Sequence, residues 1–287
     1  MHVWRDFYFR IADEAPVGTV YVGEVICSKR APLFTDHIAT VIDRLQSAGK
    51  RVVLSSLSET VLKLDRKLVE SVCADTPAAV EANDASALYY LRGRPHRIGP
   101  LVNVYSAQSL AALAARGAAH VCLPGELPAA SIAEICKTAK ELGVTVEVGV
   151  FGRQQLALSA RCYHARAHGR TKDTCQFICE RDPDGFVLST LDGSRFLAVN
   201  GVQTMSSDYL SLMNEMPQMM DMGVRAFRLS PHSCDMVRVA GTFDDVVHGR
   251  IAPRDGQAIL EELGLDAPFA NGFFHRRPGH RWITPAP

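Results

Sequence analysis

Between Val17 and about Val150, short β-rich runs alternate with amphipathic stretches, and Gly, Pro, Ser or Asn separates each pair. A chain punctuated in this way has few choices, because parallel strands need crossover connections that are usually helical. The expected strands are Thr19 to Val22, Arg51 to Ser55, Ala78 to Glu81, Arg97 to Val102, His120 to Leu123 and Thr145 to Val150. Between them, Thr35 to Ala48 and Ser131 to Leu142 carry apolar residues at three- and four-residue spacing, as helices covering a parallel sheet must. The expected architecture is an α/β fold, a TIM-like (β/α) barrel. A length of 287 residues is compatible with one such unit, so residues 1–287 are read as a single barrel domain.

Residues 151–200 interrupt the rhythm with a Cys-rich stretch. A hairpin follows it, Phe186–Ser189 turning through Asp192-Gly193 into Phe196–Val199. A Met-rich stretch, Tyr209 to Met222, reads as helix, Arg225 to Leu229 as strand and Ser233 to Val247 as helix. The Met cluster is read as core filling. The tail beyond Pro268, rich in Arg, His, Pro and Gly, gives no further element, and no internal repeat or low-complexity linker divides the chain.

In such folds chemistry lies just past the carboxyl ends of strands. Those positions hold Gly23, Glu24, Ser55, Ser56, Asn83, Asn103, Glu126 and Ser230. Most are expected to cap helices. Glu24, Glu126 and Arg228 are less easily read that way, since charged groups in a barrel mouth need partners or a ligand; they are the candidate residues lining the mouth.

Formal charge is zero, with 31 basic and 31 acidic residues, so no excess positive field attracts a phosphate backbone. Nucleic acid is not an expected partner. No stretch approaches the roughly 20 apolar residues that span a bilayer, and the sequence around Val3-Trp4-Arg5-Asp6 is not laid out as a signal peptide. A cytoplasmic location is expected. In a reducing compartment, eight cysteines call for metal binding or catalysis rather than disulfides. Cys73, Cys122, Cys136 and Cys234 lie in apolar or mixed contexts and read as small hydrophobes.

The other four are Cys162, Cys175 and Cys179, close in sequence, and Cys27, which follows the strand ending at Gly23 and belongs at the same barrel face. Cys175 and Cys179, four apart, are expected on one turn or helix. Four thiolates suit a 4Fe-4S cluster, whereas zinc also accepts mixed Cys and His sets. His164 and His168 therefore keep zinc open, although both read more naturally as exposed polar residues or donors to a metal ligand. A Cys162–His164 peptidase dyad lacks a clear orienting group and oxyanion loop.

The segments Tyr21-Val22-Gly23-Glu24-Val25-Ile26-Cys27-Ser28-Lys29-Arg30 and Ser159-Ala160-Arg161-Cys162, with Cys175 and Cys179, resemble the collagenase-like peptidase family. The likeness is to its branch that serves oxygen-independent ubiquinone biosynthesis. Leu123-Pro124-Gly125-Glu126-Leu127, Asn200-Gly201-Val202-Gln203-Thr204-Met205, Arg228-Leu229-Ser230-Pro231 and Asn271-Gly272-Phe273 extend the resemblance over nearly the whole chain. It implies a 4Fe-4S cluster on Cys27, Cys162, Cys175 and Cys179 and a heterodimer with a homologous subunit, UbiU. The implied task is hydroxylation of prenylated phenolic precursors without dioxygen, with prephenate as oxygen donor. The prenyl chain would be held by this chain or by a separate lipid-carrier protein. The alternatives are prephenate-dependent hydroxylation of transfer RNA and a non-catalytic partner subunit stabilised by its cluster; peptidase activity is not expected, because its candidate nucleophiles are the ligand thiols. The family opens with a strand ahead of its first helix, whereas this sequence begins within that helix. The expectation is thus a barrel lacking its usual first strand, with a start upstream of Met1.

Overall fold

The computed structural model describes residues 2–74 and 78–284; the expectation about Met1 lies outside them. The first half follows the expected alternation. Helix α1 (His2–Glu14) leads to β1 (Thr19–Val22), a 3-10 turn (Ser28–Leu33), α2 (Thr35–Ser47), β2 (Arg51–Ser55), α3 (Lys63–Cys73) and β3 (Ala79–Ala82). Then come α4 (Ala85–Tyr90), β4 (His96–Ile98), a 3-10 turn (Pro100–Val102), α5 (Ala107–Ala114), β5 (Ala118–Leu123), α6 (Ala129–Leu142) and β6 (Thr145–Leu158). The fourth strand is shorter than the expected Arg97–Val102, because Pro100 lacks a ladder donor and Asn103 turns left-handed at φ 60°.

The second half is α7 (Tyr163–Ala167), a 3-10 turn (Ile178–Arg181), β7 (Phe186–Ser189), β8 (Arg195–Asn200), β9 (Gln203–Ser211), α8 (Met216–Met222), β10 (Ala226–Leu229), α9 (Met236–Val247), α10 (Pro253–Glu261) and β11 (Phe269–Ala270). Two expectations are corrected here. Tyr209 to Ser211 belong to a strand rather than to the Met-rich helix, held by antiparallel pairing with Phe151 to Arg153 of β6 and parallel pairing with β11. The tail also contributes an element, the short β11, and the turns after it are tied down by Asn271, whose side chain bonds both the N–H and the C=O of Ile283.

The sheet is a curled half-barrel. Among the described residues, β1 through β6 pair in sequence order and in parallel, and β10 adds to the far side of β6. The two ends, β1 and β10, do not pair with each other, which is the TIM-like barrel with one strand missing. The main core lies between this sheet and its helices, with Val22, Leu45, Val69, Leu110, Val121 and Ile135 at or near complete burial.

β6 is the strand that leaves the barrel. Its first half lies between β5 and β10; its second half pairs with β9, and β9, β8 and β7 continue as an antiparallel meander. Gly152 permits the change of partner. Its φ is +108°, and a Cβ there would stand 2.7 Å from the Cβ of Ser230. The extension carries Cys162 out beyond the carboxyl ends of the barrel strands, where β1 delivers Cys27.

Candidate functional site

Gly23 ends β1 at φ +138°, against the backbone of Ser55, and the chain then folds around Glu24. The Glu24 Oε1 atom accepts from the backbone N–H groups of Ile26 (2.7 Å) and Cys27 (2.9 Å) and from Arg30 Nη2 (2.9 Å). Glu24 thus sits beside the cysteines, organising the loop that presents Cys27 at the head of the 3-10 turn. Arg30 continues the brace across the site, since its Nη1 donates to Asn200 Oδ1 (2.9 Å) and Asn200 Nδ2 donates to the carbonyls of Cys179 (3.2 Å) and Asp182 (2.8 Å). A second tie runs from Lys29 Nζ to the carbonyl of Lys172 at 2.7 Å.

Cys162 caps α7, accepting from Ala165 N–H at 3.4 Å, and its Sγ lies 3.2 Å from the carbonyl oxygen of Gly201. Cys175 and Cys179 do not share a helix as their spacing suggested. Gln176 (φ 48°) and Phe177 (φ 51°) place two left-handed residues between them, and the 3-10 turn begins only at Ile178. Consecutive non-glycine residues in this region cost energy. The strained turn re-aims Cys179 relative to Cys175.

The structure brings these four thiols into one neighbourhood. Cys179 is raised above an ordinary thiol by burial, against the influence of Arg30, and further by the charges of Cys162, Cys27 and Cys175. Cys27 is likewise raised by burial, opposed by the Lys29 N–H and by Arg30. Ile26, Leu158, Ala165, Ile178 and Val202 form a small apolar shell around Cys162 and Cys175. All eight cysteines are free thiols. Arg30 Nε is buried with no hydrogen-bond partner, and its guanidinium interacts electrostatically with Cys179 and Cys27. Among the described residues no three of these sulfurs lie within 4.8 Å of one another, too wide for a single tetrahedral zinc ion at Zn–S bonds of about 2.3 Å, whereas an all-sulfur donor set at wider spacing suits an iron–sulphur cluster. The remaining cysteines behave as small hydrophobes: burial pushes Cys73, Cys136 and Cys234 up to about 11 and Cys122 well above an ordinary thiol.

The other two candidate mouth residues lie elsewhere. Glu126, on the loop after β5, accepts a hydrogen bond from Tyr105. Arg228, on β10, lies inside the half-barrel. Its Nη2 contacts Glu81 (2.5 Å) and Glu147 (2.6 Å), and its guanidinium stacks 3.9 Å over the Tyr21 ring. Tyr21 donates to Glu147 at 2.9 Å and accepts from Arg97 at 2.8 Å, while His120 Nε2 lies 3.2 Å from Glu147. Ser55 and Asn83, expected among the helix caps, instead donate to Glu81.

Glu81, Arg97, His120 and Glu147 were not singled out in the sequence. Their signal was available, because charged residues in mid-strand break the apolar run expected of a parallel strand. The network borders a cavity of about 960 Å³ lined by residues of β1 and β10, by Phe7, Tyr8 and Ile11 of α1 and by Met236 and Phe243 of α9.

No helix among the described residues is long and apolar enough to cross a membrane. A family model for peptidase family U32 matches residues 2–284. Nearly the whole described fold, from α1 through the turns that follow β11, lies within that match, and the chain belongs to peptidase family U32.

Proposed function

We propose that this chain is a UbiV-type, 4Fe-4S subunit of an oxygen-independent hydroxylase that acts with a UbiU subunit on prenylated phenolic precursors of ubiquinone. The observation that carries the reading is the gathering of Cys27, Cys162 and Cys175 about Cys179, with the Arg30 guanidinium beside Cys27 and Cys179. Cys27, Cys162, Cys175 and Cys179 would hold the cluster, and a bound cluster would supply one-electron redox chemistry. Glu24 fixes the Cys27 loop, Arg30 offsets negative charge beside the sulfurs, and Asn200 fastens the Cys179 segment. Peptidase chemistry is disfavoured because the nucleophile candidates are the ligand set itself. A transfer RNA substrate is disfavoured by the balanced charge. Prephenate is the proposed oxygen donor, and the prenyl chain is proposed to rest on this subunit or a lipid-carrier protein.

The test is anaerobic purification with iron and sulfide analysis and paramagnetic resonance. About four iron and four sulfide per chain are expected of a full 4Fe-4S site; an iron-free preparation loaded with zinc would sink the reading. Cys27→Ala should lower iron retention although Cys27 is remote from its companions in sequence, and unchanged iron content would remove it from the ligand set. Hydroxylation of prenylated phenol by the reconstituted pair, lost when the cluster is removed from an intact complex, separates a catalytic subunit from an inert one.

A further inference from the structure

On α7, just past Cys162, and at the end of the 3-10 turn that follows, two histidines and an aspartate converge. His164 is fully buried and His168 follows one turn later. Their rings stack at 17° with centroids 5.4 Å apart, and Phe186 packs against both. His164 Nδ1 faces the carbonyl oxygen of Val199 at 3.0 Å, and His168 Nδ1 faces the carbonyl oxygen of His164 at 3.0 Å. A carbonyl only accepts, so each ring carries its proton on Nδ1 and, when neutral, presents a lone pair at Nε2. The arrangement orients an imidazole for a metal.

Asp182 faces the first of these rings. Its Oδ2 lies 3.0 Å from His164 Nε2, and one ligand atom from each of His164, His168 and Asp182 falls within 4.8 Å of the others. A ring nitrogen that faces a carboxylate oxygen at this distance is bridged by a proton or by a metal ion. A proton would serve His164 and Asp182, and a ring nitrogen of His168 lies within 4.8 Å of both donor atoms as well. A separation of 3.0 Å is also the edge expected between neighbouring ligands of an octahedral ion at bonds of about 2.1 Å. The Asp182 side chain is 30 % exposed, which leaves water free to complete the coordination.

We infer that His164, His168 and Asp182 form a mononuclear site for a divalent first-row transition ion, with two imidazoles and one carboxylate on one face and open positions toward solvent. The site uses none of the four cysteines, although it adjoins them: His164 follows Cys162 by two residues, and Asn200 bonds the carbonyls of both Cys179 and Asp182.

The experiment titrates the anaerobically purified full chain with Co²⁺, with iron and sulfide measured on the same sample. One equivalent should bind, giving the weak visible bands of a nitrogen- and oxygen-ligated ion without sulfur-to-cobalt charge transfer. Asp182→Asn and His168→Gln should each weaken binding by roughly 100-fold or more, since even loss of a group orienting a ligand costs 10- to 100-fold, while iron and sulfide stay unchanged. Cobalt K-edge absorption on the unaltered chain gives an answer independent of variant folding, with two imidazole rings expected in the outer-shell scattering. Sulfur ligation, affinity unchanged in both variants, or the absence of saturable binding would overturn the inference; the last would mean a buried imidazolium–carboxylate pair only. Cobalt binding by a chain free of iron and sulfide would refute the cluster reading and leave this one standing.

Discussion

Arg30 joins more of the cysteine site than any single thiol does. It pairs with Glu24, which orders the Cys27 loop, and with Asn200, which holds the Cys179 carbonyl. Burial works against its charge, but Glu24, Cys179 and Cys27 hold the guanidinium above its ordinary value. Removing one partner from a largely buried pair leaves the other exposed to the desolvation penalty. Glu24 keeps its two backbone donors, which limits the loss. Arg30→Met should therefore destabilise the fold by about 2–3 kcal/mol in urea unfolding, and Arg30→Lys, which keeps the charge but loses the planar fork, should recover about half of that. Equal losses in the two variants would show that the fork rather than the charge matters. The thiols were legible from composition and compartment, and Cys27 from its place after β1. Arg30 was quoted among the family residues without a role, because a basic residue next to Lys29 carries no mark of burial in a sequence.

At the scale of elements, sequence periodicity recovered strands flanked by turn residues and failed where a strand changes partner. β6 was expected to end at Val150, where the Cys-rich stretch interrupts the rhythm; the strand instead runs on to Leu158, with Arg153 buried and Gln154 and Gln155 half-covered, held by β9. β9 went unrecognised for a related reason: half-covered Thr204, Ser206 and Asp208 alternate with buried Met205, Ser207 and Tyr209, and a buried serine breaks the apolar side of that pattern. The turn between Cys175 and Cys179 was invisible in kind, because neither Gln176 nor Phe177 advertises a positive φ. Gln176 is exposed and left-handed. Gln176→Gly should relieve that strain and stabilise the chain by up to about 1 kcal/mol, less the entropy glycine adds to the unfolded state. Gln176→Ile, a β-branched residue forced into the same conformation, should destabilise by more than the glycine stabilises. Thermal unfolding of the pair checks the sign, and opposite signs for the two variants are the required result.

Across the whole molecule, a parallel sheet that stops at β1 and β10 lacks the ladder that would lock its ends together. The interior network supplies a connection of another kind. Tyr21 from β1 donates to Glu147 on β6, and Arg228 from β10 bridges Glu147 to Glu81 on β3. Buried charges arranged this way are costly to isolate and cheap to replace together. Arg228→Met, which strands two carboxylates, should destabilise by about 3–5 kcal/mol, whereas the triple change with Glu81→Gln and Glu147→Gln should regain at least half. Acid provides the second readout. Burial opposes ionisation of Glu147, yet Arg228 and His120 hold its carboxyl well below the ordinary value of 4.5. A carboxyl depressed on folding contributes its full stability above that ordinary value and loses it as pH falls toward the folded one. Stability of the native chain should thus decline as pH drops below about 4.5, and the triple variant, with no carboxyl left at that position, should show a shallower decline. An unchanged acid slope would mean that the network is not what ties the open ends of the half-barrel together.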